Sequence, residues 1–134
     1  MDWIQIMAML VWTAAGAVLL TVLMWLDALF TKYNDMQEIK NGNVAVTTRF
    51  VMKLFAQGYI LSQSMLNSRD LFVALLVSVV SFILLFLVEK IVELILSKAA
   101  GLDLEQGTKQ GKVAHAMLAG SFHIVGALIL AACL

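Results

Sequence analysis

Arg49, Lys53 and Gln57 follow one another at four-residue spacing inside an otherwise apolar run, and Ser64 continues the line. On a helix turning about 100° per residue these side chains fall within a stripe roughly 120° wide. Lys53 lies about nine residues into that run, so about 14 Å along it at ~1.5 Å per residue, a depth near the midplane of a bilayer. A cation there costs at least about 2.5–3.5 kcal/mol on insertion scales, so the stripe must face protein or water. Counter-charges are available. Asp27 sits near the end of the preceding apolar run, and Glu89 and Glu93 lie one turn apart in a later one, with Ser78, Phe82 and Phe86 on the same face. Arg49 or Lys53 is expected to pair with Asp27 or Glu89, long side chains being able to snorkel toward the carboxylates. Such a set either neutralises itself and fixes helix register, or carries a proton or small ion.

His115 and His123 are eight residues apart on one helical face, beside Ala119, Gly126 and Ala127. The small residues predict a close helix–helix contact. The histidines read as hydrogen-bonded packing groups or as a proton relay. At about 12 Å apart they cannot share a metal ion, so no metal and no cofactor are expected. The chain has no glycine-rich phosphate loop, no Cys-x-x-Cys, no His-Glu-x-x-His and no nucleophile beside a base, and it is not expected to be an enzyme. The acidic stretch 101–107 lacks the alternating carboxylates of a calcium loop. Cys133, the single cysteine, reads as a small apolar packing residue, and the methionines as gap-fillers.

The elements that must position these groups follow from composition. The 134 residues are 62% hydrophobic and 13% charged, with mean hydropathy +0.94. Soluble domains carry about 25% charged residues, so a soluble enzyme and a disordered chain are both excluded. Nine basic residues balance nine acidic ones, which argues against a nucleic-acid partner. Four apolar segments, about 4–30, 44–66, 71–97 and 112–134, each reach the ~20 residues that cross a bilayer as a helix. Proline is absent, so none is kinked by it. The reading is an all-α polytopic membrane protein forming a single transmembrane domain over 1–134. Segment 67–70 is a tight turn, making the second and third helices antiparallel neighbours. No basic residue precedes Lys32, so the first segment reads as a retained helix and not a signal peptide. Trp3 and Tyr33 fit interfacial belts; Trp12 and Trp25 fit lipid-facing or packing positions.

Lys32, Lys40, Lys98, Lys109 and Lys112 fall on one side, with Arg69 on the other. The excess places loops 31–43 and 98–111 in the cytoplasm and both termini outside. The halves, about 1–66 and 67–134, also echo one another. Lys40-Asn41-Gly42-Asn43-Val44-Ala45 aligns with Lys109-Gln110-Gly111-Lys112-Val113-Ala114, and Ile60-Leu61 with Ile129-Leu130 in the same register. Trp25-Leu26-Asp27-Ala28 also resembles Leu87-Val88-Glu89-Lys90 if the loops differ in length. A tandem pair of two-helix units would give parallel repeats about an axis along the membrane normal. In the shared stretch the glycine can take a positive φ just before a helix, and neighbouring polar residues can satisfy first-turn N–H groups.

Thr31-Lys32-Tyr33-Asn34, the stretch Glu38 to Ala45, and the terminal Ala131-Ala132-Cys133 resemble the YjfL-like family of small bacterial inner-membrane proteins, over roughly Asp27 to the C-terminus. The resemblance implies four transmembrane helices built from a duplicated pair in a bacterial cytoplasmic membrane, and no established activity. It departs at the second helix, where members tend to carry glycine near Met52 and Ala56. Here larger residues stand there, flanked by Arg49 and Lys53, which puts glycine-mediated packing of that helix in doubt.

Two functions fit. One is a non-enzymatic accessory or scaffold component, embedded in the lipid bilayer, homo-oligomeric, and meeting a cytoplasmic protein through loops 31–43 and 98–111. The other is an oligomeric proton or small-ion channel or transporter using the polar stripes. The first is favoured because paired charges explain themselves without transport.

Overall fold

The computed structural model describes residues 2–31 and 33–134; the Lys32 counted above lies outside them. Four long helices and two short ones follow in the order α1 (Trp3–Leu29), α2 (Asp35–Lys40), α3 (Val44–Asn67), α4 (Leu71–Ala99), α5 (Leu104–Lys109) and α6 (Val113–Ala132), with no strand among the described residues. The α3–α4 connection is a tight turn as expected, three residues long (68–70) because Asn67 completes α3. The other two connections are more ordered than the sequence reading allowed, since α2 and α5 occupy them.

The helix ends are set locally. Asp2 caps α1 in a capping box with Gln5, and Asn34, Asn43, Asp70 and Asp103 each accept a first-turn N–H of the helix they precede. Gly42 and Gly111 have φ of 81° and 86°. After each glycine the chain closes the preceding short helix identically. Asn43 N–H donates to Glu38 O and Gly42 N–H to Ile39 O; Lys112 N–H donates to Gly107 O and Gly111 N–H to Thr108 O. These are Schellman closures, which need a left-handed residue at the glycine. The residue following each glycine is at once the N-cap of the next long helix, although Lys112 supplies no side-chain cap. The two corners touch, because the Asn43 side-chain amide donates to Lys109 O at 3.0 Å.

Helix α3 is central. It packs most extensively on α6, next on α4, and more lightly on α1. Ala56 and Ile60 of α3 meet Leu85 of α4 and Ala127 of α6. Small residues on α6, with Ala45 and Ala56 of α3, permit the close approach. A Cβ added to Gly120 would run into Met52, and one on Gly126 into Leu85. Met52 therefore fills the space that glycine leaves on the partner helix. Helix α1 stands apart, burying only Gly16, Leu23, Met24 and Asp27.

The outward faces of α1, α4 and α6 are apolar, and these three helices are long and apolar enough to cross a membrane. They mark a membrane protein. Helix α3 is long enough but not apolar enough to count among them, because its buried face carries Arg49, Lys53, Gln57 and Ser64. Tyr33, expected at an interface, is buried; Trp3 and Trp25 are exposed. Cys133, expected to pack inside, is exposed at the end of α6.

Candidate functional site

The four-residue spacing on α3 turns Arg49, Lys53 and Gln57 inward together, and all three are buried, as is Ser64. The Lys53 ammonium reaches Asp27 Oδ2 at 2.5 Å. Asp27 stands two residues from the end of α1. The charge is thus held at the loop-side end of α1 and not at mid-depth, because the lysine stem extends toward the carboxylate.

Arg49 takes a partner different from the two expected. Its Nη2 lies 2.7 Å from Glu93 Oε1, and its Nη1 donates to the Tyr33 hydroxyl at 3.1 Å. Glu93 is one turn nearer the loops than Glu89, which matches Arg49 being one turn before Lys53. Lys90 approaches the other oxygen of Glu93 at 3.7 Å and lies over the Phe86 ring, 5.4 Å from its centroid. Phe86 in turn meets Phe30 and Phe82. Burying the Tyr33 phenol pushes its pKa up to about 12, against the opposing pull of Arg49. Burial likewise raises the Asp35 carboxyl above the ordinary range, although Lys53 and Arg49 oppose it. The buried residues Tyr33, Asp35 and Glu105 of the loop layer join the site's electrostatics, and the sequence reading had assigned none of them to it. The only available signal was Asp35 in the first turn after a capping asparagine, and it points to a helix start without indicating burial.

Glu89 turns instead to α6, where its Oε1 meets Nδ1 of His123; both residues are buried. The two atoms are in contact, but no hydrogen bond joins them. His115 does not join them. It lies half-buried near the start of α6, its ring against Gly107 of α5 so closely that no Cβ would fit there. The two histidines thus serve different layers.

Asp27, Lys53, Gln57, Glu89 and His123 border one small cavity of about 10 Å³, which Phe82, Phe86 and Met24 also line. That is roughly the space one water needs. Buried polar atoms here that make no hydrogen bond to protein include Nδ1 and Nε2 of His123, Oε1 of Glu89, Oε1 of Gln57 and Oγ of Ser78. With Ser81 and Ser64, also buried, they extend a polar line from the ion pairs toward the far end of the bundle. Among the described residues no group of His, Cys, Asp and Glu is arranged to hold a metal.

Charged groups paired inside a bundle whose outer helices are apolar define an integral-membrane protein with an ionisable interior. Residues 1–134 match the family described as Domain of Unknown Function (DUF350), and the chain belongs to it. No curated protein and no solved structure matches the chain.

Proposed function

We propose that this chain passes protons or small ions across a membrane along the buried polar line of α3, α4 and α6. The carrying observation is that the line outruns its ion pairs. Beyond Lys53–Asp27 and Arg49–Glu93, His123, Gln57 and Ser78 keep buried polar atoms that make no hydrogen bond to protein. Leaving such atoms bare costs about 1–3 kcal/mol each, which a purely structural core has no reason to bear.

In this reading α3 is a fourth span, its charges shielded by α1, α4 and α6. The lysine-rich α2 and α5 side faces the cytoplasm of a bacterium, and both termini lie outside. The chain descends from a duplicated unit: α2 and α5 have equal lengths and identical glycine closures, sixty-nine residues apart in register. It works as a homo-oligomer, without enzymatic activity, as a YjfL-like member of the family. Liposomes holding the protein and a pH- or ion-sensitive dye test it. Flux should appear under a membrane potential and vanish in Lys53→Ala and Glu89→Ala; absence of flux at every potential refutes transport.

The accessory reading has its own support, since both buried cations of α3 are matched by a carboxylate. There the network fixes helix register while loops 31–43 and 98–111 hold a cytoplasmic protein. Crosslinking should then trap a protein whose capture is lost when Lys40 and Lys109 are reversed to glutamate.

A further inference from the structure

We infer that the species the site handles is the proton, and that His123 Nε2 is the atom that binds it, with Glu89 as the positioning residue. This rests on the transport reading above and narrows it.

His123 presents Nδ1 to Glu89 Oε1. Of the two ring nitrogens Nδ1 is the one that faces an oxygen, so the tautomer inferred carries its proton on Nδ1 and leaves Nε2 as the lone-pair acceptor. Nε2 is buried and has no protein partner, and His123 borders the small cavity. A proton delivered there by hydronium breaks an O–H bond of the donor and forms Nε2–H, leaving water. The product is an imidazolium against the Glu89 carboxylate, a neutral pair. Release reverses the same transfer, with water again the acceptor.

The surroundings suit a proton and exclude a metal cation. The Lys53 ammonium lies in the cavity wall. Its Asp27 partner is already committed to it at 2.5 Å. An incoming metal ion would find one imidazole nitrogen, one amide oxygen and one uncommitted carboxylate, beside a fixed positive charge, in a space of about 10 Å³. A proton needs only the lone pair. The charged groups around the pair are Asp27 from α1, Arg49 and Lys53 from α3, and Lys90 and Glu93 from α4. With Lys53 paired to Asp27 and Arg49 to Glu93, Glu89 is the acidic group in direct contact with the His123 ring.

The test uses the whole chain in lipid nanodiscs, carrying His115→Gln so that His123 is the only histidine. Isotope-labelled histidine nitrogen NMR is followed from about pH 8 to about pH 4, a window bracketing the ordinary histidine range. Nδ1 should remain protonated throughout while Nε2 gains a proton on acidification. Glu89→Gln should shift that titration, and Glu89→Asp should restore part of it. An Nε2 that never titrates, or a resting tautomer with the proton on Nε2, overturns the inference without involving transport. In parallel liposomes, proton flux insensitive to sodium and potassium supports it. Sodium or potassium current lost in His123→Gln overturns it while leaving ion transport standing. A titrating Nε2 with no flux of any ion keeps the proton site and refutes the transport reading alone.

Discussion

The Lys53 ammonium and the Asp27 carboxylate, 2.5 Å apart, join the central helix α3 to the loop-side end of α1. Because α1 buries so little else, this pair is its principal polar attachment to the bundle. Asp27→Asn should therefore be strongly destabilising, by about 3–5 kcal/mol, since it strands a buried ammonium. The double variant Asp27→Leu with Lys53→Met should recover most of that loss, because neither charge remains to be desolvated. Unfolding titrations in mixed micelles measure both. Losses that simply add would show that the two side chains are not coupled.

The Tyr33 hydroxyl, buried against Arg49, gives an alkaline signature. Its folded pKa of about 12 exceeds the ordinary value of 10.0. Between those values the native chain keeps a proton that the unfolded chain has released. Stability from this group is therefore complete below pH 10 and falls as the pH rises toward about 12. Tyr33→Phe should flatten that fall while costing one hydrogen bond to a charged group, about 1.5–3 kcal/mol. Denaturation at stepped alkaline pH checks it, and an unchanged slope in the variant would count against burial of the phenol.

What the sequence made legible follows from periodicity. Arg49, Lys53 and Gln57 share a face on any helix, so their common burial could be read without coordinates. Which carboxylate each cation meets depends on how far α4 slides along α3, and spacing within one helix carries no such information. Arg49 accordingly meets Glu93, one turn from the expected Glu89. His115 and His123 are on one face as read, yet α5 covers the first and α4 faces the second. That difference arises because α5, six residues long, gives no apolar period to recognise. The Lys-x-Gly-x-Val-Ala stretch announced the positive φ at the glycine, but not the short helix that the glycine closes.

Those glycines supply a third prediction. Gly42 and Gly111 hold left-handed φ of 81° and 86°, where an L side chain costs roughly 1–2 kcal/mol. No atom crowds a Cβ at Gly42, and at Gly111 only an ordinary contact with Asn43 would form. The cost of Gly42→Ala or Gly111→Ala is thus conformational, and asparagine, which tolerates the region, should lose less than alanine at either site. Thermal unfolding in detergent should rank glycine above asparagine above alanine. An equal loss for both would point to a steric cause that the surroundings do not contain.

Met24 separates two spaces of different character. It borders the small charged cavity, and it also lines an open groove of about 900 Å³ between α1, α2 and α3 whose walls include Trp25, Phe50 and Leu54 and whose loop-side end includes Asp35. A flexible thioether is well suited to fill such a boundary. Met24→Ala should merge the two spaces, costing about 2–5 kcal/mol for the buried side chain and admitting water to Gln57. The measurement places a cysteine at Gln57 in a Cys133→Ser background and follows its labelling by a water-soluble thiol reagent. Labelling should be slow with Met24, several-fold faster with Met24→Ala, and close to the starting rate with Met24→Leu, which keeps most of the volume. Equal rates across the series would mean that the charged cavity communicates with the surface by another route, and that the groove plays no part in reaching it.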